Sequence, residues 1–249
     1  RNEARRLDPA GNECALYVTY EVAIEECGIL DVANEARVDV GDIIDGNIKD
    51  WQAIKSAALR RGALPVYVIG HSIKRRKENQ SLTMTDVAKA ARVMENQLGL
   101  RVKLAAVDYL QIIPAEHTKS QDERRLQVAA NTQRCKDMAF ALGCPVMVGC
   151  QAKQELYERD WKLPRMNDGM ETSGIMHITD KMIGLWRPWV TDAGGMIGEP
   201  PFLATEDMLI MGVTKQRFGK VGKWWPLNVD FALNEIRGII DMKLLELNL

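Results

Sequence analysis

Leu104-Ala-Ala-Val-Asp108 is an apolar run that stops on a carboxylate, and it constrains the fold more than any other stretch of the chain. Residues 104–107 predict a short buried strand. A carboxylate at the tip of a strand fully buried in a sheet is costly unless it faces a ligand, a metal or a fixed donor. In open α/β sheets, ligands gather in the crevice outside the carboxyl ends of the strands. Asp108 is therefore a candidate magnesium-organising acid, provided the rest of the chain builds such a sheet around it.

Similar runs recur. Residues 15–20, 65–69, 145–150, 182–186 and 208–213 are apolar and rich in β-branched or aromatic residues. They are too continuous to face water on one side. Helical patterns separate several of them: residues 24–36, about 48–61, 83–98 and 120–142. Thr83 with Asp86 three residues on predicts a capping box. In the last helix Leu126, Ala129, Ala130, Met138 and Leu142 fall on the expected buried side. Residues 40–47 predict a turn, Lys74-Arg75-Arg76-Lys77 a solvated basic loop, and residues 155–174 a long polar functional loop. Alternating strands and helices argue for an α/β fold with a largely parallel sheet flanked by helices, closed by a C-terminal antiparallel hairpin. Glu21, Asp108, Gln151, Arg187 and Lys215 each stand at or just past the end of an apolar run, and on one edge of one sheet they would converge on one crevice.

The size of the chain, 249 residues, suits one large domain or at most two small ones. Its 33 basic residues nearly balance its 34 acidic ones, so no global field favours nucleic acid, although a local patch or a ring formed by assembly could bind it. Cys14, Cys27, Cys135, Cys144 and Cys150 lack CxxC spacing, and three lie in apolar runs, which predicts buried free thiols in a reducing compartment. No stretch approaches the roughly 20 apolar residues of a membrane span. The charged start has no signal-peptide core, so a cytoplasmic location is expected. His71, His117 and His177 have no ligand-like spacing. Met170, Met176 and Met182 read as packing residues.

A magnesium nucleotide site needs a carboxylate that holds the metal directly or through water, and a second group that polarises the attacking water. Asp108 suits the first task and Glu21 the second. Gln151, a neutral donor, could sense a γ-phosphate. The glycine-rich phosphate loop GxxxxGK(S/T) does not occur in these 249 residues, so the residues alone give half a site. Lys215-Gln-Arg217 reads as a hairpin with two cations. Taken by itself it is a solvated basic turn.

Val107-Asp-Tyr-Leu-Gln111 resembles the Walker B signature of the DnaB-type replicative helicases, which are hexameric RecA-like ATPases. Val18-Thr-Tyr-Glu21 resembles the family's strand with the catalytic glutamate. Asp50-Trp51 with Ile54, and Leu82-Thr-Met-Thr-Asp86, are similar to further landmarks. Cys144-Pro-Val-Met-Val-Gly-Cys-Gln151 resembles the strand that ends in the family's glutamine. Ser173-Gly174, then Asp180 through Arg187, follow in the family's order. Lys215-Gln-Arg217-Phe-Gly219-Lys-Val-Gly222 resembles the hairpin whose cations reach a neighbouring subunit's ATP. The resemblance spans about residues 12–238. It implies a single RecA-like helicase motor domain over residues 1–249, with ATP and Mg2+ as cofactors. Glu21 would activate water, Asp108 would organise Mg2+ through water, and Gln151 would couple the γ-phosphate to DNA loops. Lys215 and Arg217 would act in trans, Arg217 as the arginine finger. A homo-hexameric ring would translocate on single-stranded DNA, with Lys119, Arg124, Lys162 and Arg165 as candidate DNA cations. Primase and a helicase loader are implied partners, and no membrane is.

Two departures matter. By the resemblance, the Walker A loop belongs just upstream of Arg1, so the chain is expected to start after it, incomplete at its N-terminus. Glu171 stands where the family carries an arginine before Ser173-Gly174, which would repel a DNA phosphate. These departures keep open a second reading, a catalytically inactive RecA-like scaffold or decoy subunit docked on an active ring. Lys215-Gln-Arg217 argues against a third, a recombinase relative.

Overall fold

The strand that ends on Asp108 lies inside a four-stranded parallel sheet of a computed structural model. Residues 7, 12–74, 82–115, 124–169, 173–233 and 235–240 are described, and structural statements refer to them. Strands β1 (Glu13–Thr19), β2 (Val66–Gly70), β3 (Arg101–Asp108) and β4 (Val146–Val148) run in the order β2-β1-β3-β4. Every neighbouring pair is parallel. In register, Thr19 faces both Gly70 and Asp108, so three strands finish together at one edge.

Parallel strands need crossovers, and helices supply them. Helices α1 (Ile24–Ala36), α2 (Val40–Ile44) and α3 (Trp51–Gly62) lead from β1 to β2. Helix α4 (Met84–Leu98) joins β2 to β3, and α5 (Arg124–Leu142) joins β3 to β4. Cys14, Leu16 and Val18 of β1 are buried with Val102, Ala105 and Val107 of β3, under Met84, Val87 and Ala91 of α4 and Val128, Cys135 and Met138 of α5. Each large aliphatic side chain buried there stabilises the fold by roughly 1.5–3 kcal/mol. On α1 and α3, Ala33, Ile54 and Ala57 are buried, and Arg60 meets Glu35 at 3.0 Å while Arg61 pairs with Asp31.

The helix boundaries have local causes. Thr83 accepts from Asp86 N at 3.2 Å, and Thr83 N donates to Asp86 Oδ2 at 3.1 Å, which is the expected capping box. Gly99 at φ 64° ends α4. Asp50 caps α3 by accepting from Gln52 N and Ala53 N at 2.9 and 3.0 Å. The expected turn at residues 40–47 instead opens as α2, because Asp39 caps it by accepting from Gly41 N at 2.7 Å. The buried stripe of α5 is Val128, Asn131, Thr132, Cys135, Met138 and Leu142. Leu126 lies off it and is 70% exposed, against expectation.

The chain divides into two compact units. The first holds the parallel sheet and α6 (Ser173–Ile178); the second holds residues 152–169 and everything from Thr179 on. The second unit carries its own antiparallel sheet in the order β10-β9-β8-β5, from β5 (Lys181–Trp186), β8 (Met208–Gln216), β9 (Trp224–Asp230) and β10 (Glu235–Ile239). The predicted hairpin is β8–β9, and β5 and β10 extend it on both sides. Helix α7 (Pro188–Asp192) and the pair β6 (Met196–Ile197) and β7 (Phe202–Leu203) complete the unit. Its core is Leu163, Trp186, Ile197, Phe202, Ala204, Met208 and Ile210, with Trp161 edge-on to Trp186 at 5.0 Å and Trp224 stacked on Phe202 at 5.7 Å. Arg187 and Lys215 therefore belong to a different sheet from Glu21, Asp108 and Gln151. The expectation of five polar tips on one edge is corrected to three.

The described part of the long polar loop is more ordered than its composition suggested. A 3-10 turn spans Gln154–Glu158. Asp168 then accepts both guanidinium nitrogens of Arg159, at 2.6 and 2.7 Å, and the amide of Arg165 at 2.7 Å. Among the described residues, no helix is long and apolar enough to cross a membrane.

Candidate active site

The edge where β1, β3 and β4 end is knitted by main-chain bonds beyond the strands. Tyr20 N donates to Asp108 O at 2.9 Å, Gly149 N to Val107 O at 2.9 Å, and Leu110 N to Gly149 O at 2.9 Å. These bonds bring Glu21, Asp108 and Gln151 to one edge of one sheet, Asp108 as the last residue of β3 and Glu21 and Gln151 shortly past the ends of β1 and β4. Glu21 lies in the turn between β1 and α1. The buried Thr19 holds that turn, since its hydroxyl donates to Val22 O at 2.7 Å and accepts from Val22 N at 3.1 Å. Glu21 and Gln151 are exposed and Asp108 is half-buried.

Three further residues shape this edge that the sequence did not single out. Tyr17, on β1, donates its hydroxyl to Asp108 Oδ2 at 3.0 Å. Burial first, then the bond to Asp108, raise the Tyr17 pKa above its ordinary value, which keeps the hydroxyl a donor. Oδ1 makes no hydrogen bond among the described residues. A Cβ added at Gly149 would stand 3.4 Å from that oxygen and 3.2 Å from Tyr109 Cβ, so glycine preserves the space beside the carboxylate. At the end of β2, Gly70 lets that strand approach β1, where a Cβ would meet Thr19 O at 2.7 Å. A hydroxyl at an inward strand position and glycines at strand tips are the signals that would have pointed to them.

Among the described residues, no three His, Cys, Asp or Glu side chains group as a metal cage. Mg2+ does not require one: it is held by one or two carboxylates plus substrate phosphates and keeps several waters. A single carboxylate with one committed and one open oxygen fits a metal delivered with a nucleotide.

The remaining candidates lie elsewhere. Lys215 Nζ donates to Thr179 O at 2.7 Å, and Arg217 Nε meets Asp180 Oδ1 at 3.0 Å, both within the second unit. Arg217 is half-exposed, and Phe218 beside it is 92% exposed, so the turn of this hairpin is presented rather than packed. Arg124 begins α5 and is exposed, and Arg165 is exposed at the start of the turn that Asp168 fixes. Lys162 is a correction: it is buried, and its ammonium meets both oxygens of Asp192 at 2.8 and 3.0 Å, which makes it a structural cation. Lys119 and Glu171 lie outside the described residues. Cys14 and Cys135 are buried, which pushes their pKa values to about 11 and about 12 and leaves the thiols protonated.

Comparison with known proteins gives the frame for this geometry. The family model described as the DnaB-like helicase C terminal domain matches residues 4–232. The chain is 22% identical over 223 residues to the replicative DNA helicase DnaC of Bacillus subtilis, covering 89% of this chain and 45% of that protein. It is 28% identical over 222 residues to the replicative DNA helicase DnaB of Haemophilus influenzae, covering 86% and 42%. With the DnaB of Mycobacterium intracellulare it shares 26% over 156 residues, covering 62% and 25%. The chain thus spans less than half the length of these relatives. A solved DnaB-like replicative helicase, described with its interactions with primase, superimposes at a TM-score of 0.75 with 17% identity, over 91% of this chain and 51% of that one. A solved ATPase domain does so at 0.76 with 17% identity, over 93% and 76%. At that identity the two structures speak for the RecA-like α/β fold. With a family match over nearly the whole sequence and the parallel sheet that carries Asp108, the chain belongs to the DnaB-like helicase C-terminal domain family.

Proposed function

We propose that residues 1–249 form one motor domain that couples ATP hydrolysis to translocation on single-stranded DNA, and so to unwinding of duplex DNA during replication. The observation that carries this reading is the convergence of Glu21, Asp108 and Gln151 on one edge of a parallel sheet. Bound Mg2+ and ATP would supply the electrophilic phosphoryl group and the charge neutralisation that such transfer requires. Asp108, steadied by Tyr17, would hold the metal's water shell through Oδ1. Glu21, exposed in the turn that Thr19 braces, would take the proton from the attacking water. Gln151 would exchange hydrogen bonds as the γ-phosphate leaves.

Lys215 and Arg217 would complete a neighbouring subunit's site, the guanidinium stabilising charge on the transferring group. The place of Arg217 on a presented hairpin turn, two residues past Lys215 of β8, supports action in trans, and assembly that lets every subunit act so is a ring, a homo-hexamer by analogy with the family. Arg124, Arg165 and Lys119 would follow the DNA backbone through phosphate contacts. Primase and a helicase loader are the partners to expect, in the cytoplasm.

The test is ATP turnover by the full-length protein, with and without single-stranded DNA. Glu21→Gln should lower DNA-stimulated turnover by about 10²–10⁴-fold, the usual contribution of a general base. Unchanged turnover in that variant overturns the assignment of Glu21. A wild-type protein that folds, binds a ring and never hydrolyses ATP would favour the scaffold reading instead.

A further inference from the structure

The β3–β4 ladder stops at Val107 and Val148, yet the chain beyond it stays paired. After the main-chain bond from Leu110 N to Gly149 O, a side chain takes over. Gln111, 6% exposed, sits in the 3-10 turn Leu110–Ile112. Its Oε1 accepts from Gln151 N at 3.2 Å, and its Nε2 donates to Gln151 O at 3.4 Å and to Cys150 Sγ at 3.2 Å. A glutamine amide carries the same donor and acceptor as a peptide unit. Here it pairs with Gln151 as the next residue of a strand would.

The same turn is held from its other side. Ile113 O accepts from Gln127 Nε2 at 3.1 Å and from Asn131 Nδ2 at 3.0 Å, both on α5. Asn131 is 1% exposed, so this anchor is shielded from competing water. Residues 110–113 therefore cannot shift without breaking side-chain amide bonds to β4's end or to α5. The Gln151 main chain is the element they hold in place.

We infer that Gln111 is a positioning residue: it fixes the Gln151 main chain to the turn after Asp108, so that the metal-organising carboxylate and the γ-phosphate sensor keep one spacing and a displacement at Ile113 reaches Gln151. The inference rests on the reading of Gln151 given above. It adds the residue that ties that glutamine's main chain to the turn anchored at Ile113. Gln111 touches no reacting atom. Its effect is on coupling.

The experiment is the ratio of ATP turnover with single-stranded DNA to turnover without it, measured on the full-length protein. A loss of folded fraction lowers both rates alike and leaves the ratio unmoved. Gln111→Met keeps the volume and removes donor and acceptor together, and it should lower the ratio about tenfold, as expected when two partly buried hydrogen bonds to one residue's main chain are lost. Gln111→Asn keeps the amide one methylene short of Gln151, and should lower the ratio as well; it is the variant to read if the methionine protein does not fold. Gln151→Ala is measured beside them. If it lowers the ratio and the Gln111 variants do not, the positioning role is overturned. If Gln151→Ala itself leaves the ratio unchanged, the underlying reading of Gln151 fails, and the inference with it.

Discussion

Asp108 divides its carboxylate between Tyr17 and open space, and the proposed chemistry of the edge rests on that division. The Tyr17 hydroxyl fixes Oδ2, Gly149 keeps room beside Oδ1, and Thr19 shapes the turn that presents Glu21. Tyr17→Phe removes a hydrogen bond to a charged, half-buried group and should lower unfolding free energy by about 1–2 kcal/mol, checked by urea unfolding of the full-length protein. A protein as stable as wild type would mean that Asp108 does not lean on the hydroxyl. The strand-end places of Glu21, Asp108 and Gln151 were legible because each stands at or just past the end of an apolar run, and runs of that kind build a parallel sheet whose ends share an edge. Tyr17 and Gln111 were not, since neither strand alternation nor a place in a turn names a side chain's partner. Lys162 failed for a related reason: its charge is visible in sequence, but the Asp192 that buries it lies 30 residues away.

At the scale of elements, the legible features are those with local causes. The capping box of Thr83 and Asp86 was readable residue by residue. Thr83→Ala should destabilise α4 by about 1 kcal/mol in thermal or denaturant unfolding. The residues 159–168 were less legible, because their order comes from one carboxylate. Hydrogen bonding from Arg159, opposed by burial, holds the Asp168 carboxyl below its ordinary 3.8. A depressed carboxylate contributes its stability in full above the unfolded value and loses it as pH falls through the folded one. Amide protection across residues 159–168 should therefore persist at mildly acid pH and fade only below about 3.8. In Asp168→Asn it should be reduced at every pH. Protection that fades near neutrality would assign the order of this loop to something other than Asp168.

For the whole molecule, the parallel sheet was the readable half. Its runs are continuous and its crossovers helical, which leaves few alternatives. The antiparallel sheet was seen only as a hairpin, because β5 pairs with a strand distant in sequence, and β10, although it pairs with the adjacent β9, is a short run broken by Arg237 and Gly238. The central proposal also sits at this scale: that Glu21 of one subunit and Arg217 of its neighbour would serve the same site. Glu21→Gln and Arg217→Ala proteins, each inactive alone, should regain ATP turnover when mixed. At equal amounts, about a quarter of the interfaces in a head-to-tail ring would pair an intact Glu21 with an intact Arg217. Recovery of about that fraction of wild-type turnover is the predicted result. No recovery, in rings shown to have exchanged subunits, would contradict the account.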